Sequence, residues 1–283
     1  MADYARPQTL TEALRLMAEG QSRVLAGGTD LYPGAGARLA GPVVDLGAVA
    51  GLSGLQSGPG LQSGLQSGLR IGAGTTWTTL AEADLPPALR ALQQAARQVG
   101  GRQVQNAGTI GGNLCNASPA ADGVPPLLAV GAEVELISQS GTRRLALSDF
   151  LLGPRRTALG PGEVLTAILI SDSGRQGRSA FVKLGARSHL VISIAMVAAR
   201  LFVDAGRVVD AAVAVGSCSP VAVRLPAVEA ALRDSPVSEV GDRIQATDVT
   251  AALTPIEDVR ATAAYRREAA VELVRRAVAE ALS

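Results

Sequence analysis

Two pairs of adjacent glycines, each followed by a small polar residue, constrain this chain more than any other feature: Gly27-Gly28-Thr29 and Gly111-Gly112-Asn113. Adjacent glycines let the backbone turn successive N–H groups toward one point, which makes a concavity suited to an anion such as phosphate. Two such loops from distant segments suit a pyrophosphate. The first pair follows Val24-Leu25-Ala26, a strand-like run, and so sits at the end of a strand. The common nucleotide motifs do not account for it. The one lysine, Lys183, follows Val182, which rules out a Walker glycine–lysine pair, and neither Gly34-Ala35-Gly36 nor Gly72-Ala73-Gly74 continues to the third small residue of a Rossmann loop. The fold is expected to be of another kind.

The rare residues point to the same region. The chain's asparagines are Asn106, Asn113 and Asn116, all inside the stretch 105–122, where Thr109, Ser118 and Asp122 interleave with Ile110, Leu114 and Ala117. That mixture reads as a loop packed against something polar rather than a free turn. With arginine at nearly every basic position, Lys183 stands out, because a compact ammonium differs from a planar guanidinium where a specific acceptor must be met.

Composition excludes several classes. A chain of 283 residues, 47% hydrophobic, can bury a real core, and its formal net charge of +1 offers no basic field to nucleic acid. No apolar run approaches the roughly 20 residues of a membrane span, and residues 1–20 carry charges rather than a signal-peptide core, so a cytoplasmic location is expected. Cys115 and Cys218 are too few for a self-contained metal or iron–sulfur site, so no metal ligands are assigned. His189 precedes the apolar run Leu190-Val191-Ile192 and reads as structural rather than as part of a hydrolytic triad.

Thr9 and Glu12 in capping-box spacing open a helix that Gly20 stops. Strands are expected at Val43–Leu46, Leu69–Gly74, Glu133–Ser138 and Glu163–Ile170, with helices at Ala88–Val99 and Pro125–Val130. Past a linker at Ser171–Gly177 come strand-like runs at Phe181–Leu184, Val191–Val203 and Val208–Val215, a capped helix at Pro226–Arg233, and a last helix over Thr262–Leu282. The tetrapeptide Leu-Gln-Ser-Gly recurs at 55–58, 61–64 and 65–68 and reads as an expanded hairpin loop. Removing Gly58 to Ser67 is expected to change stability little, because loop length enters closure entropy only logarithmically. The expected fold is α+β, in two parts: 1–172, itself divided near residue 50 into roughly 1–50 and 51–172, and 173–283.

Ala26-Gly27-Gly28-Thr29-Asp30-Leu31 and the run from Asn106 to Asp122 strongly resemble the FAD-binding medium subunit of molybdenum hydroxylases, the class of xanthine dehydrogenase and aerobic carbon monoxide dehydrogenase. The resemblance spans nearly the whole chain, to Asp258–Arg266. It implies a two-subdomain FAD-binding domain of the vanillyl-alcohol-oxidase type, followed by a smaller α+β domain that covers the flavin. It also implies that Ala26 to Asp30 and Thr109 to Asn113 grip the pyrophosphate, with Val24, Leu25 and Leu31 flanking the first grip and Ala107 the second. Asn116 and Asp122 would contact the nucleotide half, Leu165 would pack near the cofactor, and Lys183 would approach the flavin ring as the residue that tunes its chemistry.

The implied activity is that of an oxidoreductase subunit that cannot turn over substrate alone. A large molybdopterin-bearing subunit would oxidise substrate and a small 2Fe-2S subunit would pass electrons singly. Non-covalent FAD on this chain would deliver them to NAD or another acceptor. The alternative from another class is an FAD-free assembly subunit of the same complex. An autonomous flavin oxidase is disfavoured, because the chain shows no substrate domain and no histidine placed for covalent flavin attachment. Cys115 stands where the family often has alanine, a small-for-small exchange.

Overall fold

The protein is described by a computed structural model covering residues 4–20, 22–36, 39–58 and 67–283. Its first unit is a small parallel sheet in which Val43–Asp45 lies between Tyr4–Ala5 and Arg23–Leu25. Helix Leu10–Ala18 packs Ala13 against Val44, Val49 and Leu52. Its start is capped as expected: the Thr9 hydroxyl accepts from Glu12 N at 3.2 Å. The Glu12 carboxylate reaches back one residue further than a standard capping box, to Gln8 N at 3.1 Å.

An antiparallel five-stranded sheet follows, ordered Leu55–Ser57, Leu69–Gly72, Val164–Ile170, Glu133–Ser138, Gly141–Ala146. Its middle strand is apolar except for Thr166 and buried at every residue, because helices Trp77–Glu82, Ile110–Asn116 and Val124–Ala129 contribute side chains to the core beside it. A bulge between Leu165 and Ala167 lets Thr166 bond Glu135 and shifts the register as the strand begins.

The third sheet, Arg178–Leu184, Ala195–Asp204, Arg207–Gly216 and Val223–Arg224, is antiparallel. Helix Ala263–Leu282 supplies its main covering layer through Ala270, Leu273, Val274, Ala277 and Val278. The sheet joins the preceding unit through a layer of small residues, where Ala91, Ala95 and Ala129 meet Ala198 and Ala212 around Phe181 and Met196. Such short side chains allow close approach of backbone to backbone. Arg200 and Arg224 cross the same seam to the carbonyls of Ala129 (2.9 Å) and Leu128 (3.1 Å). No helix among the described residues is long and apolar enough to cross a membrane.

Several expectations need correction. The stretch 105–122 is not one loop: helix Arg102–Ala107 turns at Gly108 into helix Ile110–Asn116, whose cap is Thr109. Glycine's low helix propensity hides the second helix, which is held by tertiary contacts instead. The run from Val191 enters its sheet only at Ala195, because Leu190 takes a left-handed φ of 51° and Val191–Ile194 runs outside the ladder. Helix Pro226–Leu232 has no side-chain cap, and the hairpin strand Gly141–Ala146, with its arginines and threonine, was not anticipated. Most of the second and third tetrapeptides falls outside the described residues. Ser57 pairs with Leu69, so cutting Gly58 to Ser67 would leave only Gly68 to turn the chain, too short for a hairpin. Removing residues 59–66 instead leaves Gly58-Ser67-Gly68 as the connection. That deletion is expected to move stability by no more than about 1 kcal/mol, read from urea midpoints; a larger loss would give the repeat a structural role.

Candidate functional site

A cavity of about 1080 Å³ lies where the small parallel sheet, the helices after Gly74 and the segment Leu190–Ile192 converge. It is at or above the top of the roughly 300–1,000 Å³ range of ordinary small-molecule pockets. All the residues assigned to the cofactor from the sequence line it except Leu25, Ile110 and Lys183. Leu25 and Ile110 are buried beneath the wall.

The two glycine loops meet there. Gly27 leaves the strand Arg23–Leu25 and lies so close to the second loop that a Cβ on it would stand 1.9 Å from the Ala107 carbonyl oxygen. None of the backbone N–H groups from Gly27 to Leu31 finds an acceptor among the described residues, and all five residues line the cavity. Donors with no partner among the described residues thus lie along one wall of the cavity.

The second pair works differently. The N–H of Ile110 donates to Thr75 O (3.0 Å), that of Gly111 to Ala73 O (2.8 Å), that of Gly112 to the Thr109 hydroxyl (3.0 Å) and that of Asn113 to Thr109 O (3.0 Å). These donors are already committed. What Gly111 provides is contact, since a Cβ there would meet Ala73 Cβ at 2.6 Å. On this side the buried Asn113 Oδ1 has no hydrogen-bond partner among the described residues.

Lys183 does not face the cavity. Its Nζ donates to Asp122 Oδ2 at 2.5 Å and lies 3.5 Å from Gln98 O, and the two charged side chains are 6% and 7% exposed. Asp122, which does line the cavity, also accepts from Ser193 Oγ at 2.6 Å on its other oxygen. Burial pushes the Asp122 carboxyl above its ordinary value, against the opposing pull of Lys183 and Ser193. The lysine singled out by composition is thus a partner of the wall.

Three contributors went unread in the sequence. Arg155 lines the far end with a left-handed φ of 58° and donates to Asn116 O (3.2 Å) and to the Asn116 carboxamide oxygen. Glu163 sits beside Leu165 on the wall and is gripped by Arg143 through bonds of 2.6 and 2.7 Å, which hold its carboxyl below the usual range. Leu190, Val191 and Ile192 close one side. Neither the strain at Arg155 nor the salt bridge across 20 residues leaves a local pattern; the apolar run does, but its continuous character imitates a strand.

An elongated anionic molecule with a large apolar part suits this site. Residues with unpaired N–H groups line one region, and Leu46, Leu52, Leu159, Leu165 and Ile192 supply apolar wall. FAD has these properties.

Comparison with known proteins agrees. Residues 1–171 match the family described as the FAD binding domain in molybdopterin dehydrogenase, and residues 180–281 match the CO dehydrogenase flavoprotein C-terminal domain. The chain is 31% identical over 285 residues to the nicotine 6-hydroxylase medium subunit of Paenarthrobacter nicotinovorans, spanning 98% of this chain and 96% of that one. It is 29% identical over 290 residues to the xanthine dehydrogenase FAD-binding subunit of Escherichia coli O157:H7, with 100% and 96% coverage. Its fold superposes on a chain of reconstituted CO dehydrogenase from Oligotropha carboxidovorans with a TM-score of 0.88 at 30% identity, covering 99% and 96%. By sequence and fold alike, the chain belongs to the family of FAD-binding subunits of molybdenum hydroxylases.

Proposed function

We propose that this chain carries FAD as the electron outlet of a molybdenum hydroxylase, taking electrons from a small 2Fe-2S subunit fed by a large molybdopterin subunit and passing them to NAD or another acceptor. The observation that carries the reading is the run of unpartnered N–H groups at Gly27–Leu31 on the wall of a cavity large enough for a dinucleotide. Bound FAD would supply the chemistry of accepting electrons one at a time and releasing them as a pair. Gly27 to Leu31 would hold its pyrophosphate, and Thr109, Asn113, Asn116 and Asp122 would offer polar side chains along the wall. Leu165 and Leu190–Ile192 would exclude water. Lys183 would act on the site through Asp122, keeping that carboxylate charged and fixed.

In this reading the chain divides near residue 172, with the parallel and five-stranded sheets forming the FAD domain and the four-stranded sheet the cover. The setting is cytoplasmic. With two cysteines and no evident molybdopterin motif, the chain leaves substrate oxidation to its partners.

The purified chain is expected to bind one FAD, released intact by acid denaturation, and to show no substrate hydroxylation by itself. Adding the partner subunits should make the flavin bleach on addition of the complex's substrate and recover its colour on addition of NAD. A colourless chain that cannot be reconstituted would favour the assembly-subunit alternative. Bleaching without recovery in NAD would assign another acceptor.

A further inference from the structure

Arg266, on helix Ala263–Leu282, is fully buried, an expensive place for a guanidinium unless its bonds fix something. Its Nη1 donates to the carbonyls of Ile194 and Ser217, the latter at 2.9 Å, and its Nη2 donates to Asp258 Oδ1 at 2.7 Å. Ile194 ends the segment that runs from the cavity wall at Leu190–Ile192 into the four-stranded sheet, and Ser217 is the first residue after the strand Arg207–Gly216. Ser193, adjacent to Ile194, places its hydroxyl 2.6 Å from Asp122, and Ser217, held at a left-handed φ of 63°, donates its N–H to Pro119 O at 3.0 Å. Asp258 is held in turn by Arg260, whose Nη1 lies 3.4 Å from Ser193 O.

We propose that Arg266 is a positioning residue for the FAD site: one buried guanidinium locks the two backbone segments that brace Pro119 and Asp122, and so sets the wall of the cavity from a helix that does not reach it. The bracing is specific. Every described hydrogen bond of the Arg266 side chain ends on a group one residue from, or identical with, a residue touching 119–122 or on the Asp258–Arg260 pair behind Ser193. A side chain that served only the core of the last helix would have no reason to carry charge there, since its neighbours Ala270, Val274 and Val278 are apolar.

This inference rests on the FAD reading, and its test separates the two. FAD affinity of the apo-protein is titrated by flavin fluorescence, with the visible absorption fine structure recorded, for the parent, Arg266→Lys, Arg266→Met, Ser193→Ala and Leu232→Ala. Leu232 lies in the same core away from the cavity, so Leu232→Ala should lower the melting temperature while keeping the parent's Kd and spectrum. Arg266→Lys should weaken FAD by about tenfold, the worth of one charge-assisted hydrogen bond, and blur the fine structure; Arg266→Met should do more. Arg266→Lys combined with Ser193→Ala should lose less than the two effects multiplied, because both act on Asp122. If Arg266→Met does not fold, Arg266→Lys decides. A parent-like Kd and spectrum in Arg266→Lys, or strict multiplicativity with Ser193→Ala, overturns the proposal, whereas a parent that binds no FAD overturns the reading beneath it.

Discussion

Replacing Lys183 with methionine is expected to cost about 3–5 kcal/mol of stability, the usual loss when one partner of a buried ion pair is removed. The pair is Lys183–Asp122, at 2.5 Å and nearly closed to solvent. Methionine leaves the carboxylate with Ser193 as its only hydrogen-bond donor among the described residues. The loss should depend on pH in a defined direction. Burial already raises the Asp122 carboxyl above its unfolded value, and Lys183 is the largest influence opposing that rise, so the variant raises it further. A native state with the higher pKa binds more protons than the unfolded chain, and its stability therefore falls as pH rises. Lys183→Met should sit closest to the parent below the unfolded carboxylate value of about 3.9 and fall progressively behind as pH climbs through the native value. Lys183→Met with Asp122→Asn, which removes the charge, should recover most of the loss and show no such drift relative to the parent. Urea midpoints over a pH series decide it. A deficit that does not vary with pH, or a double variant no better than the single, would mean that the lysine stabilises through its aliphatic stem.

That placement changes what composition suggested about Lys183. A single lysine among arginines does mark a position where geometry matters, but the acceptor is a carboxylate of the wall. Sequence reasoning finds residues by type and spacing, and the pairing of residues 122 and 183 depends on how the four-stranded sheet docks on the helices, through alanines that carry no directional signal. The same limit applies to Arg155 and Glu163, whose roles come from a left-handed turn and a cross-loop salt bridge.

Local patterns were legible where local physics decides. Thr9 announces a cap, Val164–Ile170 a buried strand, and Ala263–Leu282 an amphipathic helix, and each forms close to where its pattern begins and ends. The two glycine pairs were equally visible, yet identical in kind only on paper. At Gly27-Gly28 the N–H groups have no acceptor among the described residues, whereas at Gly111-Gly112 they are bonded to Ala73 and Thr109. The turn Ala73–Thr75, whose carbonyls take the N–H groups of Ile110 and Gly111, lies more than thirty residues away, beyond the reach of a motif.

Gly27→Ala is expected to be the most damaging substitution for cofactor binding. The new Cβ would lie 1.9 Å from Ala107 O, 2.6 Å from Ala107 C and 2.9 Å from Gly108 Cα. All three are backbone atoms, so no side chain can swing aside, and the two loops must part. Forcing a methyl group into such a contact typically costs about 1–3 kcal/mol in stability. The effect on FAD should be larger, because donors displaced by more than about 0.5 Å no longer meet a fixed ligand. Losing two charge-assisted bonds to the pyrophosphate, at roughly 1.5–3 kcal/mol each, predicts affinity lower by on the order of a hundredfold or more. The check is FAD titration of the apo-protein well below its unfolding temperature, beside Gly241→Ala, where a Cβ meets nothing within 4 Å. Gly241→Ala should bind as the parent does. If Gly27→Ala also kept the parent's affinity, the approach of Ala107 to the first loop would be incidental, and the unpartnered N–H groups from Gly27 to Leu31 could not be what holds the cofactor.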